Sequence, residues 1–379
     1  MLRSRPIAPA IDHVLPQLTS LRYFAALLVM VSHLDFLKQS TAAPLRRIYD
    51  GFLHEGYCGV SFFFVLSGLI LSHAYRDALL SRRITVTAYL ARRAARILPM
   101  HWLVALPFIA WLALAEGRPI EPLLVTLNLL LLHAWAVPGT LHFSLNGPSW
   151  SLSVEMFFYA MFPLLILLPR AVLARIATLQ FTGIAAMALA AAILVPGFSP
   201  DIEWLFYVNP LVRLLEFITG MLVYDAWRQG HLRAWAGTRF ELVLVALVPA
   251  CMAGFVALDV PLPLRWQLAY LPLAAALVFV FACGDGMISR GLRSRVLVGL
   301  GEASFSLYLI HRPIFTLVAR LSQPLSPAAE IATAGGLLAG CSLLSIVVHR
   351  HVEAPVTARL NRALASHAVA RGLRQGISR

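Results

Sequence analysis

The sequence predicts an all-α fold, a polytopic membrane bundle of about ten transmembrane helices, and three observations carry that expectation. The chain of 379 residues is 59% hydrophobic and only 13% charged. Its mean hydropathy is +0.77. Its apolar residues gather in long runs separated by arginine-rich loops. A soluble domain of this length needs far more charge to cover its surface. The excess of 31 basic over 18 acidic residues, formally +13, would point to nucleic acid in a soluble protein. Here the arginines lie between apolar runs, where they act as orientation signals, so the expected partner is the lipid bilayer and not nucleic acid.

The first run, from Leu18 to Leu37, contains Arg22 and His33 and no small-residue cleavage site follows it. It is therefore read as a retained span and not a signal peptide. Further apolar segments centre near Phe64, Leu106, Leu129, Phe158, Ala185, Glu216, Leu247, Leu277, Leu307 and Leu338. Most approach the roughly 20 residues that cross a bilayer core. The segment at 121–136, around Leu129, is shorter and is followed by Pro138, Gly139, Gly147 and Pro148, which favour turns.

Charge parity sets the expected number of crossings. Arg3 and Arg5 place the N-terminus inside, and Arg76, Arg82, Arg83, Arg92, Arg93 and Arg96 place the loop after the second span there too. Arg228, Arg233 and Arg239 mark another inner loop; Arg290, Arg293 and Arg295 a third; and Arg350, Arg359, Arg362, Arg371 and Arg374 the tail. Between Arg96 and Arg170 the crossings must then be even, although three apolar segments lie there. The Leu129 segment is assigned as re-entrant or interfacial on the outer side. This gives ten crossings, a single membrane domain over 1–379, a basic cytoplasmic tail at 354–379, and both termini cytoplasmic in the inner membrane. Lys38, Arg46 and Arg47 in the first outer loop run against this scheme but are outnumbered. The halves show no duplicated segment pattern of the inverted-repeat transporter kind. Cys58, Cys251, Cys283 and Cys341 have no CxxC spacing and read as small core residues.

Ionisable residues within apolar runs are costly in a bilayer and so point to function. Arg22 and His33 are eleven residues apart, about three helical turns. Both therefore project from one face, roughly 16 Å apart along the axis. Gly59, Ser67 and Gly68 allow close helix approach. Arg92 and Arg96, at i and i+4 beside Arg93, can grip an anionic group between them. In "GPSWSLSVEMFFYAMFP", Trp150 fits an interface anchor and Glu155 needs a partner. Arg213 and Glu216, at i and i+3, are expected to neutralise each other. "GEASFSLYLIHRPIF" places Ser306, Tyr308 and His311 in one segment, with His311 at a depth similar to His33.

The chain resembles the acyltransferase 3 family of membrane acyltransferases. The resemblance rests on Arg22 with His33, "FFFVLSG" from Phe62 to Gly68, the arginine cluster before Pro99, "WSLSVE" from Trp150 to Glu155, "SFSLYLIHRP" from Ser304 to Pro313, and Glu353 with Pro355, all in one order. It implies O-acylation of a sugar, polysaccharide or glycosylated small molecule outside the cytoplasm, with acyl-coenzyme A as donor and no permanently bound cofactor or metal. The opening run looks closer to stand-alone members than to those carrying a C-terminal hydrolase-like domain.

Acyl transfer to an alcohol needs a base for the hydroxyl proton and a stabiliser for the tetrahedral oxyanion. An unperturbed histidine titrates near pH ~6.5, so His33 is the expected general base. Arg22 is assigned to the donor, Glu155 to orienting a histidine, and Arg92, Arg93 and Arg96 to coenzyme A phosphates, which arginine forks suit. Trp150, Ser153, Tyr308 and His311 are assigned to the acceptor side; Ser153 could relay acyl, although a helical serine more often back-bonds to its own helix. The rival class is a secondary transporter or exporter with an intramembrane His/Glu/Arg pathway. A lipid-sugar glycosyltransferase would need an acidic metal-binding cluster, and the sequence offers none.

Overall fold

The computed structural model describes residues 15–117, 119–136, 141–195, 197, 199–230, 233–321 and 326–377. Arg3, Arg5, Pro138 and Gly139 lie outside them, as do the side chains of Arg371 and Arg374. The described residues are helical, with no strand among them.

α1 (Pro16–Ser32) ends at His33 and runs on through a 3-10 turn, Asp35–Gln39. A short amphipathic α2 (Ala43–Gly51) and a second 3-10 turn, Leu53–Cys58, lead into α3 (Gly59–Leu80). α4 (Val86–Leu114) starts where the Thr85 hydroxyl accepts from Ala88 N, an N-cap that satisfies one of the free amides of the first turn. α5 (Pro122–Leu129) and a set of 3-10 turns precede α6 (Trp150–Leu165) and α7 (Arg170–Leu194). After the four-residue α8 (Pro200–Glu203), α9 (Pro210–Gln229) is capped by Asn209 and stopped by Gly230 at φ 72°, a left-handed conformation that suits glycine. α10 (Thr238–Ala257), α11 (Leu262–Arg265), α12 (Leu271–Cys283), α13 (Met287–Leu292) and α14 (Arg295–Glu302) follow. α15 (Ser304–Leu321) and α16 (Pro327–Val348) then lead, through a π-helical turn at His349–Glu353, into α17 (Ala354–Ile377).

Among the described residues, seven helical stretches are long and apolar enough to cross a membrane, those containing α1, α3, α4, α7, α9, α10 and α16. The expected ten crossings need α6, α12 and α15 as well. α12 has 13 residues, α6 has 16, and α15 carries Arg312 and Pro313. α5 has eight residues, about 12 Å of helix, too short for a hydrocarbon core of about 30 Å.

Contacts between helix ends define a basic end of the bundle. There Arg76 pairs with Asp225, Arg228 with Asp77 at 3.3 Å, and Arg170 Nη1 donates to Gln229 Oε1 at 2.7 Å. At the far end, Glu55 is buried and accepts from Tyr57 Oη, Tyr270 Oη and Arg265 Nη1 at 2.9, 2.6 and 2.9 Å. This one carboxylate joins the entrances of α3 and α12. Arg213 and Glu216 pair at 2.9 Å, both fully buried, as the spacing predicts. The Arg213 guanidinium also lies over the rings of Tyr207, Trp150 and Phe64, 4.9, 5.5 and 5.7 Å from their centroids. All four cysteines are free thiols.

The tightest helix pair is α3 with α9, and glycine makes it possible. A Cβ on Gly220 would lie 1.9 Å from Val65 O, and one on Gly68 would lie 2.1 Å from Phe217 O. Both obstacles are backbone, so the helices themselves would have to separate. Gly220→Val is expected to lower the melting temperature of the detergent-solubilised protein sharply, since overpacking of this kind costs about 1–3 kcal/mol or more. Gly335→Ala, on α16 where nothing lies within 4 Å, is the control and is expected to be neutral or stabilising. Equal melting temperatures for Gly220→Val and the parent would contradict the close approach.

Candidate active site

Each helix delivers its polar residues by phase. On α4, Arg93 and Arg96 are three apart and share a face; on α6, Ser151 and Glu155 are four apart and do the same. These faces meet α1, α3 and α15 around one cavity of about 130 Å³ that opens to solvent. Its polar wall holds Arg22, Arg93, Arg96, Ser151, Glu155 and Tyr308, and its apolar wall is mainly Val60, Phe63, Phe64, Leu71 and Leu152. The Arg93 guanidinium packs over Tyr75 and Tyr159, 5.2 and 5.5 Å from the ring centroids. Tyr159 Oη donates to Glu155 Oε1 at 2.5 Å. The glutamate expected to orient a histidine is thus held by a tyrosine one helical turn away.

The cavity is polarised along the bundle axis. Arg93 and Arg96, in the first turns of α4, stand at the basic end; Ser151, in the first turn of α6, and Tyr308 stand further along. Ser151 Oγ and Tyr308 Oη are 2.7 Å apart, and both donate towards Pro148 O, at 3.0 and 3.1 Å. The Tyr308 ring is 5.9 Å from the His311 ring, and the His311 ring is 5.1 Å from that of His33. A chain of contacts therefore leads from the arginine end to the histidine expected to be the base.

The histidine pair has a defined tautomer. His33 Nδ1 lies 2.8 Å from Val29 O, and His311 Nδ1 lies 3.2 Å from Leu307 O. A carbonyl only accepts, so both Nδ1 atoms carry hydrogen and both Nε2 atoms keep a lone pair. His311 Nε2 stands 3.4 Å from His33 Nδ1, where its lone pair faces the His33 N–H. His33 Nε2 is left as the basic nitrogen. Around the pair, Arg312 Nη1 and Asp35 Oδ2 are 2.5 Å apart, and Tyr49 Oη donates to Ser32 O at 2.7 Å and Asp35 Oδ1 at 2.9 Å. These contacts tie the end of α1 to α15 and α2.

Three placements differ from the sequence reading. Arg92 is half-buried and does not line the cavity; the phase of α4 turns Arg93 inward with Arg96 instead. Ser153 Oγ donates to Leu131 O at 2.5 Å and accepts from Ala134 N at 3.3 Å. It tethers the segment after α5 to α6, so its expected acceptor contact gives way to a structural one. Trp150 is buried against Tyr207, with ring centroids 4.8 Å apart, and beneath Arg213; it is a packing residue and not an exposed anchor. Ser151, Tyr159, Asp35, Tyr49 and Arg312 join the site unannounced. Ser151 was discoverable, one helical turn before Glu155. At the basic end, Glu353 is buried and accepts from Ser306 Oγ at 2.6 Å, with His349 Nδ1 at 3.0 Å.

A polytopic helical bundle around a cavity of arginines, a glutamate and hydroxyls, with contacts leading on to a paired histidine, is the architecture of a membrane-embedded enzyme. The chain belongs to the acyltransferase 3 family: its profile, described as an acyltransferase domain, matches residues 15–350. The chain is 33% identical over 375 residues to acyltransferase MdmB of Streptomyces mycarofaciens, covering 92% of this chain and 93% of that protein. It is 31% identical over 321 residues to the exopolysaccharide production protein ExoZ of Rhizobium meliloti, covering 80% and 90%. No solved structure matches it.

Proposed function

We propose that this acyltransferase takes an acyl group, acetyl in the first instance, from acyl-coenzyme A entering at the basic end and places it on a carbohydrate hydroxyl at the far end. The observation that carries the reading is the single cavity that joins Arg22, Arg93, Arg96 and Glu155 to Tyr308, and through Tyr308 to the His311–His33 pair. Arg93 and Arg96 hold the donor's phosphates, and Arg22 steadies the arm that reaches into the bundle. His33 Nε2 takes the proton of the acceptor hydroxyl as its oxygen attacks the thioester carbonyl. The tetrahedral adduct then collapses, forming the ester and expelling the coenzyme A thiolate, which takes up the proton. Arg22 is too far along α1 to touch the same oxyanion, so its work lies on the donor side.

A carbohydrate acceptor agrees with the exopolysaccharide assignment of one relative. The parity of the arginines supports a cytoplasmic-membrane location with both termini and the donor mouth inside. A transporter would carry a substrate through unchanged, whereas this reading requires a new covalent ester. The test is acyl transfer in sealed membrane vesicles given radiolabelled acetyl-coenzyme A, with mass spectrometry of surface glycans and small metabolites from cells with and without the gene. Label should reach glycan only in inside-out vesicles, and acetyl-bearing species should vanish with the gene. Equal labelling in right-side-out vesicles, or an unchanged acyl inventory, overturns the proposal.

A further inference from the structure

Proline inside a helix leaves a carbonyl unserved. Pro313 lies within α15 and carries no N–H, so the bond that residue 313 would donate to the carbonyl four residues back, Leu309 O, cannot form. Buried in a membrane bundle, such a carbonyl has no water to turn to and must be met by a neighbouring segment. Asn146 meets it. Its Nδ2 donates to Leu309 O at 3.0 Å, across 163 residues of sequence, and both residues are buried.

The local structure prepares Asn146 for that bond. It precedes the Gly147–Ser149 turn, and its own carbonyl accepts from Ser149 N at 2.9 Å and from Ser149 Oγ at 2.6 Å, which fixes its backbone. The same turn takes Tyr308 Oη at Pro148 O, 3.1 Å away, so it grips α15 at two successive residues. The side-chain amide has no second partner among the described residues, since Asn146 Oδ1 is buried and unbonded. A carbonyl only accepts, so it is the NH₂ end of the amide that must face Leu309.

The turn spanned by the missing bond, from Leu309 to Pro313, carries His311 and Arg312. His311 Nε2 stands 3.4 Å from His33 Nδ1, and Arg312 pairs with Asp35. The stretch of α15 that presents the histidine pair is thus the stretch with one helical hydrogen bond fewer, and Asn146 supplies the replacement from outside the helix. We propose that Asn146 is a positioning residue for the His33–His311 pair. It acts through the Leu309 carbonyl, holding the Leu309–Pro313 turn so that His311 is set against His33. The inference rests on the proposed role of His33 in acyl transfer.

The test is a double-mutant cycle on the full chain with Asn146→Ala and Pro313→Ala, because alanine at that position gives Leu309 O a helical N–H. Transfer from radiolabelled acetyl-coenzyme A in inside-out membrane vesicles yields kcat and the donor KM; melting of the detergent-solubilised protein reports the bond without needing turnover. Asn146→Ala should lower kcat roughly 10- to 100-fold, the scale for a slightly displaced reacting group. It should leave the donor KM unchanged, because Arg93 and Arg96 stand at the other end of the cavity. In the Pro313→Ala background the same substitution should cost much less, both in kcat and in melting temperature. Asn128→Ala is the control: it removes a bond to Ser144 O, 3.2 Å, that does not involve α15, and should lower the melting temperature equally in both backgrounds. An equal melting loss for Asn146→Ala in the two backgrounds, or an unchanged kcat beside an inactive His33→Gln, overturns the proposal alone. Parental turnover by His33→Gln removes the base that Asn146 would position, and overturns both readings together.

Discussion

His33→Ala is expected to abolish acyl transfer while the protein still inserts and folds. The basis is the tautomer that the backbone imposes: Val29 O takes the Nδ1 hydrogen of His33, which leaves Nε2 as the proton acceptor. General-base catalysis contributes about 100- to 10,000-fold, so His33→Gln should be nearly as inactive as His33→Ala, because glutamine offers shape without a titrating nitrogen. His311→Gln should sit between these variants and the parent. His311 Nε2, 3.4 Å from His33 Nδ1, would orient that ring and not itself take the substrate proton. Acyl transfer to the native acceptor, measured at matched membrane abundance, checks all three. Substantial turnover by His33→Gln would move the base elsewhere.

The second large effect belongs to the donor. Arg96→Ala is expected to raise the apparent KM for acyl-coenzyme A by roughly 10- to 150-fold, the range for a charge-assisted contact worth about 1.5 to 3 kcal/mol. Arg93→Ala should do the same, with some further loss of stability, because its guanidinium also packs on Tyr75 and Tyr159. Arg92→Ala is the internal comparison: it carries the same charge at the same end but does not line the cavity, so donor dependence should change little. Initial rates over a donor titration separate the three. An equal rise for Arg92→Ala would mean that the cluster acts only as diffuse positive charge, which salt would screen.

The sequence made the membrane class, the shortness of the Leu129 segment and the charged half of the cavity legible, because a charge inside an apolar run stands out whatever it touches. Arg22, Arg93, Arg96, Glu155 and Tyr308 are all of that kind or lie one turn from it. Helix phase was harder. Arg92 and Arg93 are adjacent, and only the packing of α4 against its neighbours decides which turns inward; the same uncertainty separates Ser151 from Ser153. Contacts between distant segments were illegible in principle. Trp150 reads as an interface anchor until Arg213, from α9, is found stacked on it. Asp35 and Arg312 are 277 residues apart, and nothing local in either marks the other. The number of crossings also resisted reading, because α6 and α12 are shorter than a full span.

Arg22 lies within α1 and His33 caps the C-terminal end of that same helix, and that makes α1 a ruler. On the proposed function, the distance between the place where a donor is gripped and the place where a hydroxyl is deprotonated is set by a residue count and not by a hinge or a domain interface. Substitutions between Ser20 and Ser32 can alter packing and leave that interval intact. A single inserted residue cannot. It would advance His33 by about 1.5 Å and swing it by about 100°, away from the His311 nitrogen that now stands 3.4 Å from it. Descendants of this chain are therefore free to drift in composition along α1 but not in length, and a change of donor reach would have to come from the walls of the cavity, leaving the ruler itself unaltered.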